Sequence, residues 1–217
     1  MAVITVSRQL GSHGARIARA LAKELGYAFA DKSLINRVIR QYGLTRLDVI
    51  YDHKPKLREL FNDNSAVTIQ MMNETIAAIA ARGNVVILGR GGFRVLHGMA
   101  DVVNVFVKAN DTVRARRIGK RDGIDSGEAG ELIKTDDELR ARFVRLFYGA
   151  DWAEEAAYDL VLDTSSTSDE EAAAQIVQAV HSLPEPAASD RQAANLEVDP
   201  VLANTVAQVM ARRAARA

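Results

Sequence analysis

Apolar positions along this chain fall into short unbroken runs, separated by longer stretches where they recur every three or four residues. Residues 3–6, Val-Ile-Thr-Val, are β-branched throughout and lead into a glycine-containing loop, which predicts a buried strand. Residues 85–88 are apolar on consecutive positions, and so are residues 102–107 apart from Asn104. Such runs suit a parallel sheet covered by helices on both faces, where neither side of a strand meets water. Residues 158–162, Tyr-Asp-Leu-Val-Leu, predict a fourth strand.

Helical periodicity fills the intervals. Residues 17–25 carry Ile17, Ala20, Leu21 and Leu25 on one face and stop at Gly26. Residues 66–81 repeat the pattern with Ile69, Met72, Ile76 and Ile79. Residues 111–120 and 126–147 predict helices rich in arginine and glutamate, and residues 170–180 predict one more after the fourth strand. Strands alternating with helices define an α/β domain over residues 1–183, with right-handed crossovers expected. Pro184 and Pro186 then open a linker over residues 184–198. Residues 199–217 predict an alanine-rich helical tail ending in Arg212, Arg213 and Arg216. We expect this tail to be solvated, its basic end matching the helix dipole, with docking to another subunit or an anionic partner as the alternative.

Composition narrows the chemistry. Lysine plus arginine equals aspartate plus glutamate, 28 each, so a bulk polyanion binder is not expected and any basic site must come from local clustering. With no cysteine, thiolate nucleophiles, disulfides and cysteine-bound metals are excluded. His13, His53, His97 and His181 show no metal-ligand spacing, and no metal-ligating residue is assigned. No window approaches the roughly 20 apolar residues of a membrane-spanning helix. A cytoplasmic location with no membrane partner is expected.

The first strand runs into Ser7-Arg8-Gln9-Leu10-Gly11-Ser12-His13-Gly14-Ala15-Arg16, and a helix follows. Strand, glycine loop and helix is the layout that turns backbone N–H groups and a helix N-terminus toward phosphate oxygens. The pattern G-x-x-x-x-G-K-[ST] is not met, because with Gly14 as its second glycine Gln9 replaces the first, Ala15 the lysine and Arg16 the hydroxyl residue. Arg8 and Arg16 are the charges available to compensate. Three more segments carry candidate chemistry. Asp31 and Arg37 stand six residues apart after the first helix. Gly89-Arg90-Gly91-Gly92 puts a guanidinium at the carboxyl edge of a strand, where parallel sheets bind ligands. Arg114, Arg116, Arg117, Lys120 and Arg121 cluster ahead of Asp136, Asp137, Glu138, Arg140 and Arg142, as expected of two arginine helices closing as a lid over a triphosphate.

Together these segments resemble the cytidylate kinase-like family. The resemblance is carried by Ile4-Thr5-Val6-Ser7-Arg8-Gln9, Gly11-Ser12-His13-Gly14, Phe29-x-Asp31, Leu34-Ile35 and Gly89-Arg90-Gly91-Gly92. It continues through Asp137-x-x-Arg140, Tyr148-Gly149-x-Asp151-Trp152 and the run from Tyr158 to Thr164, and spans residues 3–180. It implies a three-layer P-loop domain with a parallel sheet and an arginine-rich helical lid, using ATP with Mg²⁺ and a pyrimidine nucleoside monophosphate as acceptor. By the same resemblance Gly11 to Arg16, with Arg8, form the phosphate loop, and Asp163 and Thr164 lie near the donor base. Asp31, Arg37 and Arg90 face the acceptor, Arg114, Arg117 and Arg121 serve the lid, and Asp137 and Arg140 lie near the acceptor sugar or the transferring phosphoryl, with Arg16 also catalytic. The chain departs from the family at Ala15 (commonly arginine), Asp163 (commonly asparagine) and Gly91 (aspartate in the better-studied members). Losing one well-placed charge at a phosphate costs about 2.7–4 kcal/mol of transition-state stabilisation. The leading expectation is a CMP/dCMP-type kinase. The alternatives are a catalytically lapsed nucleotide-binding protein and a basic interaction module. Nucleic acid is not the expected partner, given the neutral charge and few aromatics, and a homo-oligomer is left open.

Overall fold

A computed structural model describes residues 1–42 and 63–215; His53 and Arg216 of the sequence reading lie outside them. Five strands form one parallel sheet: β1 (Val3–Arg8), β2 (Ala28–Ala30), β3 (Val85–Leu88), β4 (Val102–Lys108) and β5 (Leu160–Asp163), in the order β2-β3-β1-β4-β5. The helices are α1 (Gly14–Leu25), α2 (Lys32–Tyr42), α3 (Asp63–Ala80), the single turn α4 (Gly92–Val95), α5 (Asp111–Asp122), α6 (Ser126–Tyr148), α7 (Asp169–His181) and α8 (Pro200–Ala214). This is the three-layer P-loop-type α/β architecture.

Strand β1 is central, with Val3 in register with Val85 on one side and Val102 on the other. Its side chains alternate between two cores. Val3, with Val85, Ile87 and Val102, packs under α2, α3 and α8, while Ile4 and Val6, with Val86, Leu88, Val103 and Val105, pack under α1 and α7. Asn104, the polar break in the β4 run, is buried and satisfied. The Thr5 hydroxyl donates to its Oδ1 at 2.7 Å, and its own backbone N–H and Nδ2 donate to Asp159 Oδ2 at 2.6 and 3.2 Å. That bond anchors the approach to β5 beside a cluster in which Phe106 stacks on Tyr158 at 5.0 Å and meets Trp152 edge-on at 5.4 Å.

Residues 28–30 form a strand that the sequence pattern does not announce, since a three-residue edge strand is too short to show a period. The C-terminal segment departs further from expectation. Asp101, buried at 6% exposure, accepts from the backbone N–H groups of Ala193 and Ala194 at 2.6 and 3.1 Å and ties down the region read as a linker. Asp199 then caps α8, accepting from Leu202 N at 2.8 Å. The helix is not a solvated tail: Leu202, Val206 and Val209 are at most 2% exposed and join the core beneath α2 and α3. Alanine-rich composition hid an apolar stripe only three residues strong. Leu202→Ala should therefore cost about 2–5 kcal/mol in a urea titration, the usual range for a buried leucine, whereas a solvated tail predicts no change.

Candidate active site

In the order β2-β3-β1-β4-β5 the chain crosses β1 between β3 and β4, so the carboxyl ends of these three strands open a crevice at a topological switch point. The loop after β1 lies there. Gln9, standing where a P-loop would have its first glycine, continues the ladder instead: its N–H donates to Val107 O at 3.0 Å and its Oε1 accepts from Ala109 N at 3.0 Å. Gly14 is required by packing, since a Cβ there would come within 2.5 Å of Arg8 Cβ and 3.0 Å of Val107 Cβ. Gly11 has φ +81°, and its missing Cβ makes room for the backbone of α5 at Arg114.

Three consecutive carbonyls of this loop are held from one side. Arg114 Nε donates to Leu10 O at 2.9 Å, Arg117 Nη1 to Gly11 O at 3.2 Å, and Thr164 Oγ1 to Ser12 O at 2.8 Å. Because a trans peptide points its N–H opposite its C=O, fixing these oxygens turns the Gly11 and His13 amides the other way, as an anion-binding nest needs. The Ser12 N–H instead donates back to Gln9 O at 3.3 Å and closes the turn. His13 holds the left-handed conformation at φ 64° as it enters α1. Among the described residues only three non-glycine positions have positive φ, and two of them, His13 and Arg90, lie in this loop and at the neighbouring pocket. Strained backbone of this kind persists where the surroundings over-determine it, and it clusters at functional sites.

Beside the loop, at the ends of β1 and β3 and against α6, lies a cavity of about 260 Å³. Arg8, Lys32, Arg90, Arg140 and Arg142 line it against one carboxylate, Asp136, while Phe93, Phe143 and Trp152 supply an apolar wall. Asp136 pairs with Arg140, whose guanidinium also lies 5.8 Å over the Trp152 ring. Burial, then the Arg140 charge, lowers the Arg8 pKa to about 10, with Asp136 opposing and Arg90 and Arg19 adding to the effect. Cations crowded out of water in this way are a site preorganised for an anion.

The residues marked in the sequence divide between these two places. Arg8, Arg90 and Arg140 meet in the cavity, so Arg8 sits on its wall rather than in the loop proper. Arg114 is 1% exposed and fully engaged, with Nη2 donating to Asp137 at 2.5 Å and Nη1 to Asp111 at 3.0 Å. Burial pushes the Asp137 carboxyl up, with Arg114 and Arg140 pulling it back. Arg117 also donates to Thr164 O at 2.7 Å, so both arginines face the phosphate loop here, while Arg121 pairs with its neighbour Asp122 in solvent. Arg16 pairs with Asp169 at the start of α7, and its Nη2 lies 3.1 Å from Nδ1 of the loop residue His13, which meets the same carboxylate at 3.0 Å. Ala15 packs against the α1–α7 core. Asp163 accepts from Ser165 N at 2.8 Å, and that bonding holds its carboxyl below the usual range. Asp31 is bound by Arg213 from α8, and Arg37 is on the exposed face of α2; neither lines the cavity. Lys32 and Asp169 were not singled out from sequence, and Arg142 was marked only as part of an arginine-rich helix. A single charge on a helix carries no local mark of its pocket.

Fold and site describe a P-loop-type α/β domain with a loop and a cavity both suited to anions. The Cytidylate kinase-like family matches residues 3–166, and the chain belongs to that family. It is 32% identical to a cytidylate kinase of Ignicoccus hospitalis over 166 residues, 76% of this chain and 91% of that one. It is 31% identical to a cytidylate kinase of Pyrobaculum arsenaticum over 77% of this chain and 86% of that one. Among solved structures, an uncharacterized protein from Eubacterium ventriosum superposes with a TM-score of 0.68 at 18% identity, over 84% of this chain and 99% of its own. That last likeness speaks to the fold alone.

The glycine at position 91 has a visible cause. At φ +73°, a Cβ there would approach Tyr148 Cε2 to 2.5 Å. The Tyr148 hydroxyl donates to Asn73 Oδ1 at 2.8 Å, fixing the ring where a longer residue 91 would lie. Burial pushes that phenol far above its ordinary pKa, the Arg90 charge offsetting part of the effect. Gly91→Ala should lose about 1–3 kcal/mol in thermal or urea unfolding, because both backbone and ring must shift. Tyr148→Ala in the same background should recover part of that loss.

Proposed function

We propose that this protein transfers the γ-phosphoryl group of ATP to CMP or dCMP, giving ADP and the corresponding diphosphate. The observation carrying this reading is the adjacency of two anion-directed places: a loop whose Gly11 and His13 amides are turned out by carbonyl clamps, and a cavity with five basic groups against one acid. The loop takes the donor phosphates. Arg8, Arg90 and Arg140 take the acceptor phosphate, and the aromatic wall of Phe93 and Trp152 gives a base an apolar surface. Family membership and relatives named cytidylate kinase support the pyrimidine acceptor.

In the transfer, an acceptor phosphate oxygen attacks the γ-phosphorus while the bond to the β–γ bridging oxygen breaks, its electron pair leaving with ADP. The protein need supply only position and positive charge. Arg140 and Arg90 lie where charge on the transferring group would be met, and Asp136 orients Arg140. Mg²⁺ would come bound to the ATP phosphates, as is usual for this ion, and would supply neutralising charge there. Ala15 leaves the loop without a cation at that position, and Arg16, held by Asp169 beside His13, and Arg117, bonded to Gly11 O, are the guanidinium groups in contact with it.

Incubation of the protein with Mg²⁺-ATP and a panel of nucleoside monophosphates, with diphosphate read directly, should show turnover on CMP or dCMP above the others. ATP binding without turnover on any acceptor would favour the lapsed, nucleotide-binding alternative. Arg90→Ala should lower turnover about 10²–10³-fold while ATP still binds by equilibrium titration; unchanged rates would remove Arg90 from the acceptor site.

A further inference from the structure

The C-terminal helix lies outside the residues shared with the family, yet it runs antiparallel to α2 and is bonded to it at both ends. At one end the Tyr42 hydroxyl donates to Asp199 Oδ1 at 3.2 Å, and nearby Gln41 Nε2 donates to Gln208 Oε1 at 3.2 Å. At the other end Arg213 grips Asp31 with both nitrogens, Nη1 to Oδ1 at 2.8 Å and Nη2 to Oδ2 at 3.0 Å. The second of these ends is the one beside the cavity, because Lys32, the next residue after Asp31, lines it.

Asp31 is the joint between β2 and α2. Its Oδ1 also accepts from Leu34 N at 3.1 Å, capping the first turn, and its backbone carbonyl accepts from Ile35 N at 3.0 Å. The carboxylate is 14% exposed, and its other cation, Arg19, is farther away at 3.7 Å. Burial works against the charged carboxylate, but Arg213, the Leu34 amide and Arg19 more than offset it and hold the carboxyl below its usual range. Arg213 is itself ordered by Phe29 on β2, whose ring centroid lies 5.6 Å from the guanidinium carbon. A planar fork meeting a carboxylate at two points fixes direction as well as distance, which a lysine does not.

We infer that Arg213 is a positioning residue for the acceptor side of the site: the C-terminal helix fastens Asp31 and so sets the first turn of α2 and Lys32 on the cavity wall. The assignment rests on the acceptor reading of the cavity given above. Removing the guanidinium frees the start of α2 without touching the phosphate loop, so the consequence falls on one substrate. A residue that served stability alone would affect both substrates together.

The test uses the full chain with Arg213→Ala and Arg213→Lys, varying CMP at saturating Mg²⁺-ATP and then ATP at saturating CMP. Arg213→Ala should raise KM for CMP about tenfold and leave kcat and KM for ATP within about twofold, with the lysine variant recovering part of the loss. An unchanged KM for CMP, or an equal loss toward both substrates with a lowered melting temperature, overturns the inference. If the wild-type protein turns over no monophosphate, the functional reading fails by itself, and hydrogen exchange decides the positioning role. The Leu34 and Ile35 amides should then exchange about tenfold faster in Arg213→Ala than in the wild type; equal protection overturns it.

Discussion

The carbonyl oxygens of Leu10, Gly11 and Ser12 are the fixed points of this site. Each accepts from a side chain rooted elsewhere, in α5 or just after β5, and none of the three donors is part of the loop. The clamp is itself braced. Arg114 is held by Asp137 and Asp111, and Thr164 is held by Arg117 and by its own N–H to Lys108 O at 2.9 Å. A buried carbonyl without a donor costs about 1–3 kcal/mol, so the loop cannot turn its oxygens inward without forfeiting three such bonds. The shape of this loop is thus written in α5 and in the residue after β5, which explains how a loop lacking the usual lysine keeps its geometry.

Charge is arranged to match. The cations at the cavity outnumber its carboxylates, while at the loop Arg114 is paired with Asp137 and Asp111 and Arg16 with Asp169. Positive charge is therefore in excess at the cavity, and burial of Arg8, with Arg140 and Arg90 nearby, makes that charge costly until an anion arrives. The two compartments share β1: Arg8 ends the strand and Gly11 lies three residues on.

Much of the scaffold could be read from local pattern. The runs at 85–88 and 102–107 became central strands because consecutive β-branched residues bury both faces, and the glycines at 26, 123 and 149 end their helices in left-handed conformation. Arg90 and Arg140 could be marked from their segments, and the structure brings both to one cavity. Other features are long-range and left no local trace. Arg16 could be marked as a loop cation, but nothing local showed that Asp169, 153 positions away, holds it. Asp31 and Arg213 are 182 residues apart. Arginines 114 and 117 read as a solvated or closing helix face, and only the packing of α5 on the loop shows that they bond to its carbonyls. The C-terminal helix misled for a related reason: a stripe of Leu202, Val206 and Val209 amid alanines is weak as a pattern, yet it completes a core.

The most direct test lies in Thr164, whose hydroxyl holds Ser12 O at 2.8 Å and whose side chain is too buried, at 2% exposure, to touch a nucleotide by itself. Equilibrium titration of ATP and of CMP into the wild-type protein and Thr164→Val compares a clamped loop with one that lacks the Ser12 donor, and with it the hydroxyl that accepts from Arg117, at nearly constant volume. If the carbonyl clamp shapes the cradle, ATP binding weakens about tenfold while CMP binding is unchanged. Equal ATP affinity in the two proteins, or no ATP binding by the wild type, would contradict a phosphate site built from the carbonyl side.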